Sequence, residues 1–431
     1  MTQRVRRRDG RPSYVGRSKT TGIEPSRNTA QNSAPQRVPF WAYTDPDLAQ
    51  KEQRQIFEGP FWNFVALSVE LPKEGDFKRS TVGRRPVVVV RGKEGRVHVF
   101  ENRCAHRGLE FCMVPTGNTR SFTCPYHKWT YDLSGQLQGM PFFRGVNGKG
   151  GMPTDFDLSE HGLNGLAVTE RNGLVFASFD RNVPPFDTFL GVEMLAYFTR
   201  VFDGRELRVL GYQRQRIPAN WKLIVENIKD PYHASLLHVF LVSLGLFRAD
   251  QPSQVLMDDT GQHAALISQR GTQQSNEVTE QIDAFRPDLR LHDPNLLDPA
   301  AEFPGSATVV MQTLWPNLII QQQTNTLALR HVVPQGPETT DQHWTYFGYA
   351  EDDDEMMARR LRQANLQGPA GLIGVDDWEV LQNLQRGLRS NLNGEAVIEM
   401  GGRDIHNADH MITEVAIRAF YKHYWKVMEL Q

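Results

Sequence analysis

The chain has 431 residues, which is enough for two or three domains with a sizeable core. Its 39% hydrophobic and 23% charged residues are typical of a globular protein, and because no apolar run reaches about 18 residues, we expect no membrane span. The net charge of −2 conceals a basic tail, residues 1–37, with nine Arg or Lys against two acidic residues. Three cysteines are too few for a disulfide framework, so a reducing, cytoplasmic location is expected.

The basic tail is rich in Ser, Thr, Asn, Gln, Pro and Gly and lacks the apolar run of a secretory signal. A nucleic-acid-binding arm would share this charge, but no aromatic interleaving or recognition fold follows it. We therefore predict a disordered extension and no nucleic-acid partner.

Short strands dominate the region from residue 61 to about residue 180. A helix over residues 46–58 precedes them, because Leu48, Ala49 and Ile56 fall on one side. The predicted strands are Thr81–Arg84, Val87–Arg91, Val97–Glu101, Phe122–Cys124, Trp129–Asp132 and Leu174–Phe179. Many short strands between Gly and Pro turns indicate a small antiparallel barrel or sandwich.

A second region, residues 185–431, mixes strands and helices and is predicted to be an α+β domain. The predicted strands are Leu207–Arg216, Ala264–Gln269, Thr308–Leu314, Leu318–Gln323, Ala328–Val333 and Trp344–Ala350. The predicted helices are residues 220–238, Glu355–Leu366, Trp378–Leu388 and Met411–Met428.

The β-rich region carries two Cys/His pairs, Cys104-Ala-His106 and Cys124-Pro-Tyr-His127, with seventeen residues between them. Two facing turns of this kind supply two sulfurs and two nitrogens, which suits either a mononuclear zinc site or a Rieske [2Fe–2S] cluster. The nearby Gly, Pro and Trp residues favour a tightly turned, shielded cluster. Cys112 lies off both pairs and is predicted to be a small core residue.

The segment 220–238 combines acidic, amide and imidazole groups with Trp, Leu, Ile and Val. Buried ionisable groups are costly unless they are paired or ligate a metal, and imidazole plus carboxylate suits a non-haem iron site. His233 and His238 would diverge on an ideal helix, since five residues turn it by about 500°. Convergence requires that the helix ends or bulges between them, and Pro231 supports an irregular backbone here.

Together, these Cys/His pairs and the later Glu226-Asn-x-x-Asp-x-Tyr-His-x-x-x-x-His238 run resemble the large (alpha) subunits of Rieske non-haem iron ring-hydroxylating oxygenases. The resemblance spans about Val38 to the C-terminus. It implies an N-terminal all-β Rieske domain, residues 61–180, that holds a [2Fe–2S] cluster through Cys104, His106, Cys124 and His127. It also implies an α+β catalytic domain with an antiparallel sheet surrounded by helices, on which a helix in residues 38–60 packs.

The same resemblance assigns roles around a mononuclear Fe(II). His233 and His238 are implied ligands, and Asp377 is the implied third ligand with Asp376 as the alternative. An N-cap role also suits Asp376. Asp230 is expected to bridge to the Rieske histidine of a neighbouring subunit, and Asn227 to lie near the iron without ligating it.

Several stretches are most similar to salicylate 5-hydroxylase large subunits, with anthranilate and terephthalate dioxygenases next. They include Val38-Pro-Phe-Trp-Ala-Tyr-Thr, Leu210-Gly-Tyr-x-Arg-Gln-Arg-Ile-Pro and Arg362-Gln-Ala-Asn-Leu. Such substrates carry a carboxylate on a benzene ring, so we expect Arg330 as its partner, with Gln323 and Leu266 lining the pocket. Terephthalate enzymes are expected to have a second arginine where this chain has Met411. Without that second cation, a substrate with one carboxylate is favoured over a dicarboxylate.

The resemblance implies hydroxylation with O2, most simply of salicylate to gentisate, or cis-dihydroxylation of anthranilate or terephthalate. No flavin or nicotinamide fingerprint is present, so a separate ferredoxin and NAD(P)H-dependent reductase are expected. A small beta subunit and an α3 or α3β3 ring are also implied. A Rieske electron-transfer protein and a zinc-binding interaction protein are the alternatives from other classes.

Overall fold

The computed structural model describes residues 35–271 and 277–430. Its helices are α1 Pro46–Glu52, α2 Phe186–Val201, α3 Trp221–Lys229, α4 Pro231–Leu237, α5 Val239–Ser243, α6 Asp354–Gln367, α7 Gly374–Ser390 and α8 Val415–Met428. The first strands are β1 Arg37–Pro39, β2 Asn63–Leu67, β3 Asp76–Val82, β4 Arg85–Arg91, β5 Val97–Glu101, β6 Thr116–Asn118, β7 Phe122–Thr123, β8 Thr130–Tyr131, β9 Leu137–Gly139, β10 Ala167–Arg171 and β11 Leu174–Ser178. The remaining strands are β12 Leu207–Ile217, β13 Ser253–Met257, β14 Ala264–Ser268, β15 Val309–Leu314, β16 Leu318–Gln323, β17 Thr326–Gly336, β18 Thr339–Tyr349 and β19 Glu395–Val397. Within the described ranges, no helix has the length and apolar character that a membrane span requires.

The N-terminal part consists of small antiparallel sheets. One has the strand order β5-β4-β3-β6, a second β10-β11-β2 and a third β7-β8-β9. The third sheet is short, with two residues each in β7 and β8, and the Cys124–His127 loop connects these two strands, whereas the Cys104–His106 loop lies between β5 and β6. The N-terminal part is therefore all-β, as predicted, and its short strands form three antiparallel sheets.

The C-terminal part is built on one seven-stranded antiparallel sheet with the order β12-β18-β17-β16-β15-β14-β13. Strands β13 to β18 follow one another along the chain, so each pairs with its sequence neighbour. Helices accompany this sheet, as expected for the predicted α+β class, and one continuous core includes residues of the sheet, α2, α3 and α8. A second, smaller core of aromatic and aliphatic residues surrounds Cys104, Cys112 and Cys124.

Element bounds differ from the prediction where the backbone is interrupted. The predicted helix over residues 220–238 is wrong as one element, because Asp230 adopts an extended conformation between α3 and α4. The C-terminal helix begins at Val415 rather than Met411, and the strand predicted at Thr81–Arg84 is the end of β3 followed by a turn. Helix α2 and strand β2 were not predicted; β2 is buried throughout, so it shows no alternation. Most of the basic tail, residues 1–34, lies outside the described residues.

A buried ion pair joins α1 to α3. The ammonium of Lys222 donates to Glu52, and both side chains are almost fully buried. The Glu52 carboxylate also accepts hydrogen bonds from Trp221 Nε1 (2.9 Å) and Tyr424 OH (2.6 Å). Three helices, α1, α3 and α8, therefore meet at one buried carboxylate.

We predict that Lys222→Ala lowers the free energy of unfolding by about 3–5 kcal/mol, because it leaves the Glu52 carboxylate buried without its counter-charge. Thermal and denaturant unfolding of the purified protein measure this change. Lys73→Ala, at an exposed position, is the matched control and should change stability by less than about 0.5 kcal/mol. Equal effects of the two substitutions would contradict the role of the buried pair.

Candidate metal centres

Two loops of the same local conformation hold the Cys/His pairs. In the first, Cys104 N donates to Leu109 O (2.8 Å) and Gly108 N donates to Cys104 O (2.9 Å). The second repeats this at the same spacing, with Cys124 N to Trp129 O (2.8 Å) and Lys128 N to Cys124 O (3.0 Å). The fifth residue of each loop has a positive φ, which glycine adopts freely at Gly108 and which Lys128 adopts at φ 56°.

The four side chains of these loops lie at one end of the small core. Cys104 and Cys124 are buried, whereas His106 is exposed and its ring centroid lies 4.6 Å from that of His127. The Trp129 ring stacks on His106 at 4.8 Å with an interplanar angle of 3°, as expected for a shielding aromatic residue. Buried sulfurs with imidazoles on the outer side fit a cluster whose second iron is bound by histidine.

A single zinc ion suits these four residues less well. Among the described residues, only His233, His238 and Asp377 form a group of three or more His, Cys, Asp or Glu side chains whose ligand atoms all lie within 4.8 Å of one another. The ligand atoms of the Cys/His loops are more widely spaced than one ion requires, as a two-iron cluster would demand.

Tyr131 is a further member of this site that the sequence reasoning missed. Its hydroxyl accepts a hydrogen bond from Ala105 N (3.1 Å) and lies 3.2 Å from Cys104 Sγ, where it would donate to the sulfur of a cluster-bound thiolate. Hydrogen bonds to cluster sulfurs tune the reduction potential. No pattern along the sequence marks this contact, because it joins Tyr131 to a cysteine 27 residues earlier in the chain.

The second site depends on two interruptions of the helical segment that follows Asn220. Asp230 ends α3, and its Oδ1 accepts hydrogen bonds from Tyr232 N (2.8 Å) and His233 N (3.2 Å), which caps α4. Pro231 occupies the first helical position, where the missing amide hydrogen has no cost. Helix α4 then ends at Leu237, and His238 is extended. The helix therefore ends between His233 and His238. A helix end, rather than a bulge, is thus what lets the two rings converge.

His233, His238 and Asp377 converge in the structure. The Oδ1 atom of Asp377 lies 3.6 Å from His233 Nε2 and 3.3 Å from His238 Nε2. Two imidazole nitrogens and one carboxylate match the facial triad of non-haem iron sites. Asn227 lies beside them, with Nδ2 donating to Asp377 Oδ1 (3.1 Å) and 3.3 Å from His233 Nε2.

Each histidine also faces a second carboxylate through its other ring nitrogen. Asp230 Oδ2 lies 3.3 Å from His233 Nδ1, and Asp376 Oδ2 lies 3.2 Å from His238 Nδ1. Such partners fix the ring orientation and the tautomer of metal-binding histidines. The N-cap role considered for Asp376 is wrong, because Ile373 occupies that position and Asp376 lies in the first turn of α7.

The carboxylates of this cluster favour a proton on His233. Burial opposes protonation of His233, but the carboxylates of Asp230 and Asp377 outweigh it and raise the pKa of His233 to about 10. Burial would raise the pKa of Asp377, yet the two histidines hold it well below its usual range. A metal ion bound here therefore replaces a proton on His233.

A cavity opens next to these residues, with about 480 Å³ of empty space that includes its solvent-filled mouth. Its lining is mostly apolar: Ile228, Ala234, Leu241, Phe247, Leu266, Val309, Met311 and Ile373. Arg330 and Gln323 also line it, so all three predicted substrate residues lie on the wall of the cavity that contains His233, His238 and Asp377. Met411 is buried in the apolar cluster around Ala234 and Ile373.

Arg330 is a nearly buried cation, 7% exposed, with no carboxylate partner among the residues that the structure describes. Burial lowers its pKa to about 10, a shift that the charge of Asp377 partly offsets. Its guanidinium carbon lies 4.0 Å from the centroid of the Trp344 ring. A buried charge without an ionic partner is costly, so the cavity is suited to an anionic ligand.

Comparison with known proteins identifies two family models in the chain. Residues 61–148 match the Rieske [2Fe–2S] domain, and residues 204–430 match the ring hydroxylating alpha subunit (catalytic domain). A crystal structure of naphthalene 1,2-dioxygenase from Rhodococcus sp. has a similar fold, with a TM-score of 0.74 at 24% identity over 91% of this chain and 94% of that one.

Three relatives align over 91% of this chain. The salicylate 5-hydroxylase large oxygenase component of Ralstonia sp. is 51% identical, over 94% of its length. The anthranilate 1,2-dioxygenase large subunit of Burkholderia cepacia is 41% identical, over 93% of its length. The terephthalate 1,2-dioxygenase terminal oxygenase alpha 2 subunit of Comamonas sp. is 41% identical, over 95% of its length.

We predict that Asp377→Ala lowers the iron content by about one atom per chain, from about three to about two, because it removes one of three converging ligands. Elemental analysis measures the loss, and an unchanged visible spectrum shows that the cluster remains. Asp376→Ala is the matched control at the adjacent carboxylate and should retain the third iron at saturating Fe(II). If Asp376→Ala loses the third iron and Asp377→Ala retains it, then Asp376 is the ligand and Asp377 is not.

Proposed function

The chain belongs to the Rieske non-haem iron ring-hydroxylating oxygenase large (alpha) subunits, and on that premise we propose that it hydroxylates a benzene ring bearing one carboxylate, with salicylate as substrate and gentisate as product. The reaction consumes salicylate, O2, two electrons and two protons, and yields gentisate and water. One oxygen atom enters the ring and the other leaves as water.

The observation that carries this proposal is the buried Arg330, which has no acidic partner among the residues that the structure describes. A guanidinium binds a carboxylate through two parallel hydrogen bonds, and the exchange of water for such a partner is most favourable where the cation is already desolvated. Arg330 and the cluster of His233, His238 and Asp377 lie on one cavity, so a ring anchored by its carboxylate would extend toward that cluster. The apolar wall suits the ring itself.

A single cation supports a monocarboxylate rather than a dicarboxylate. Arg330 is the only lysine or arginine among the described residues that line the cavity. Met411, at the position expected for a second arginine, is buried and apolar. Terephthalate would leave one of its two carboxylates in apolar surroundings, which is costly.

His233, His238 and Asp377 are the proposed ligands of the mononuclear iron, which when bound supplies the site of O2 activation. In this assignment the Nδ1 hydrogen of His238 donates to Asp376 and Nδ1 of His233 faces the Asp230 carboxylate at 3.3 Å, so both Nε2 lone pairs are left for the ion. Asn227 holds the Asp377 carboxylate through its amide hydrogen. The apolar cavity wall excludes water and keeps the ring next to the reacting site.

Electrons are proposed to reach this site through the cluster held by Cys104, His106, Cys124 and His127. Asp230 is the proposed bridge to that cluster in a neighbouring subunit, and its position supports this role. Its carboxylate lies beside His233 and is 20% exposed, so a histidine of another chain can approach it. The working assembly would then be an α3 or α3β3 ring, supplied by a ferredoxin and an NAD(P)H-dependent reductase.

Product analysis with purified reductase and ferredoxin tests the reaction. We expect gentisate from salicylate, with one product molecule formed per O2 consumed. Absence of salicylate turnover, together with cis-diol formation from anthranilate or terephthalate, would contradict the proposal and favour a dioxygenase.

We predict that Arg330→Gln raises the KM for salicylate about 100-fold, because it removes the charge that binds the carboxylate. Iron content and the cluster spectrum should stay unchanged. Arg216→Gln is the control, since Arg216 forms an exposed ion pair with Asp341 on the same sheet and should leave KM unaltered. An unaltered KM in Arg330→Gln would place the carboxylate elsewhere.

A further inference from the structure

Two hydrogen-bond donors on the cavity wall have no partner in the described part of the chain: Arg330 Nη1 and Gln323 Nε2. Strands β16 and β17 carry them on one face of the sheet, because the register pairs Ile319 with Arg330 and Gln323 with Thr326. Gln321 lies between them on the same face and is fully buried.

The orientation of both amides follows from the chemistry of arginine. A guanidinium can only donate, so the group of Gln321 that meets Arg330 Nε (2.8 Å) and Nη2 must be its carbonyl oxygen. The Gln321 amide nitrogen is then the atom that faces Gln323, and it donates to Gln323 Oε1 (3.0 Å). The oxygen of Gln323 is therefore engaged by Gln321, which leaves its amide nitrogen as the donor available to a ligand in the cavity.

Gln321 does not line the cavity, so it cannot contact a ligand there. It nevertheless fixes the guanidinium against Trp344 and fixes the direction of the Gln323 amide. Its effect on a ligand must pass through these two residues, which makes Gln321 a positioning residue.

We propose that Gln321 sets the polarity of Gln323, so that the site selects an oxygen over an amino group at the ring carbon next to the carboxylate. This inference rests on the proposed function for the anchoring of the carboxylate at Arg330. The hydroxyl of salicylate donates its hydrogen to the adjacent carboxylate, so its oxygen can accept from Gln323. The amino group of anthranilate donates hydrogen bonds and is a poor acceptor. Its hydrogens would face the amide hydrogens of Gln323, and no hydrogen bond could form between them.

Calorimetric binding of salicylate, benzoate and anthranilate to the holoenzyme tests this selection without requiring turnover. We expect the wild type to bind salicylate about tenfold more tightly than benzoate, and anthranilate least tightly. Gln321→Glu presents only acceptors, so the Gln323 amide must turn and direct its oxygen to the cavity. The new carboxylate also pairs with Arg330 and weakens the binding of both carboxylate ligands, an effect that cancels in their affinity ratio. The salicylate-to-anthranilate affinity ratio should then fall at least about tenfold, although Gln323 itself is unchanged.

Gln323→Leu is the second variant and keeps the test valid if Gln321→Glu folds poorly. It should make the affinities for salicylate and benzoate equal within about twofold, since it removes the donor. Gln322→Glu is the matched control: Gln322 faces the opposite side of β16, where its oxygen accepts from Arg200 Nε (3.0 Å), so the same change should leave the ratio unaltered.

Equal affinities of the wild type for salicylate and anthranilate would overturn the inference, as would an unchanged ratio in both Gln321→Glu and Gln323→Leu. The proposed function fails separately. Selective binding of salicylate without gentisate formation would remove the proposed reaction and leave the polarity of Gln323 in place. Gentisate formation without selective binding of salicylate would support the proposed reaction and overturn the inference about Gln323.

Discussion

Pro231 has no amide hydrogen to donate to the preceding helix, and the arrangement of the histidines depends on the break that it causes. The residue before a proline is disfavoured in helical conformation, so Asp230 is extended and its carboxylate is free to cap the next helix. The same side chain lies beside His233. A second break at His238 completes the convergence, because an unbroken helix would point the two rings about 140° apart.

The cavity beside this cluster combines an apolar wall with a small polar corner. The cation of this corner is Arg330, on β17. Its guanidinium contacts the buried amide of Gln321 and the ring of Trp344, and no acidic side chain among the described residues pairs with it. An internal carboxylate at Arg330 would have stabilised the free protein but would compete with an anionic ligand. The chain instead leaves the charge incompletely satisfied, which couples stability to occupancy of the cavity.

The two metal signatures, the α+β class and most strands of the large sheet could be predicted from the sequence, because each depends on short-range spacing or on runs of apolar residues. The resemblance, not the spacing, singled out Asp377, which lies far along the chain from His233. The single helix over residues 220–238 was wrong, since apolar periodicity outweighed the proline in that prediction. Tyr131, Asp376 as a partner of His238, and Gln321 could not be found in this way. Their roles arise from pairing across strands and between distant helices, which a linear pattern does not contain.

The carboxylates around His233 have a consequence for how the protein takes up iron. A proton on this imidazole supplies positive charge among Asp230 and Asp377, so the metal-free form has no unopposed cluster of negative charge. Iron binding at this imidazole is then an exchange of one cation for another, and it weakens as the pH falls.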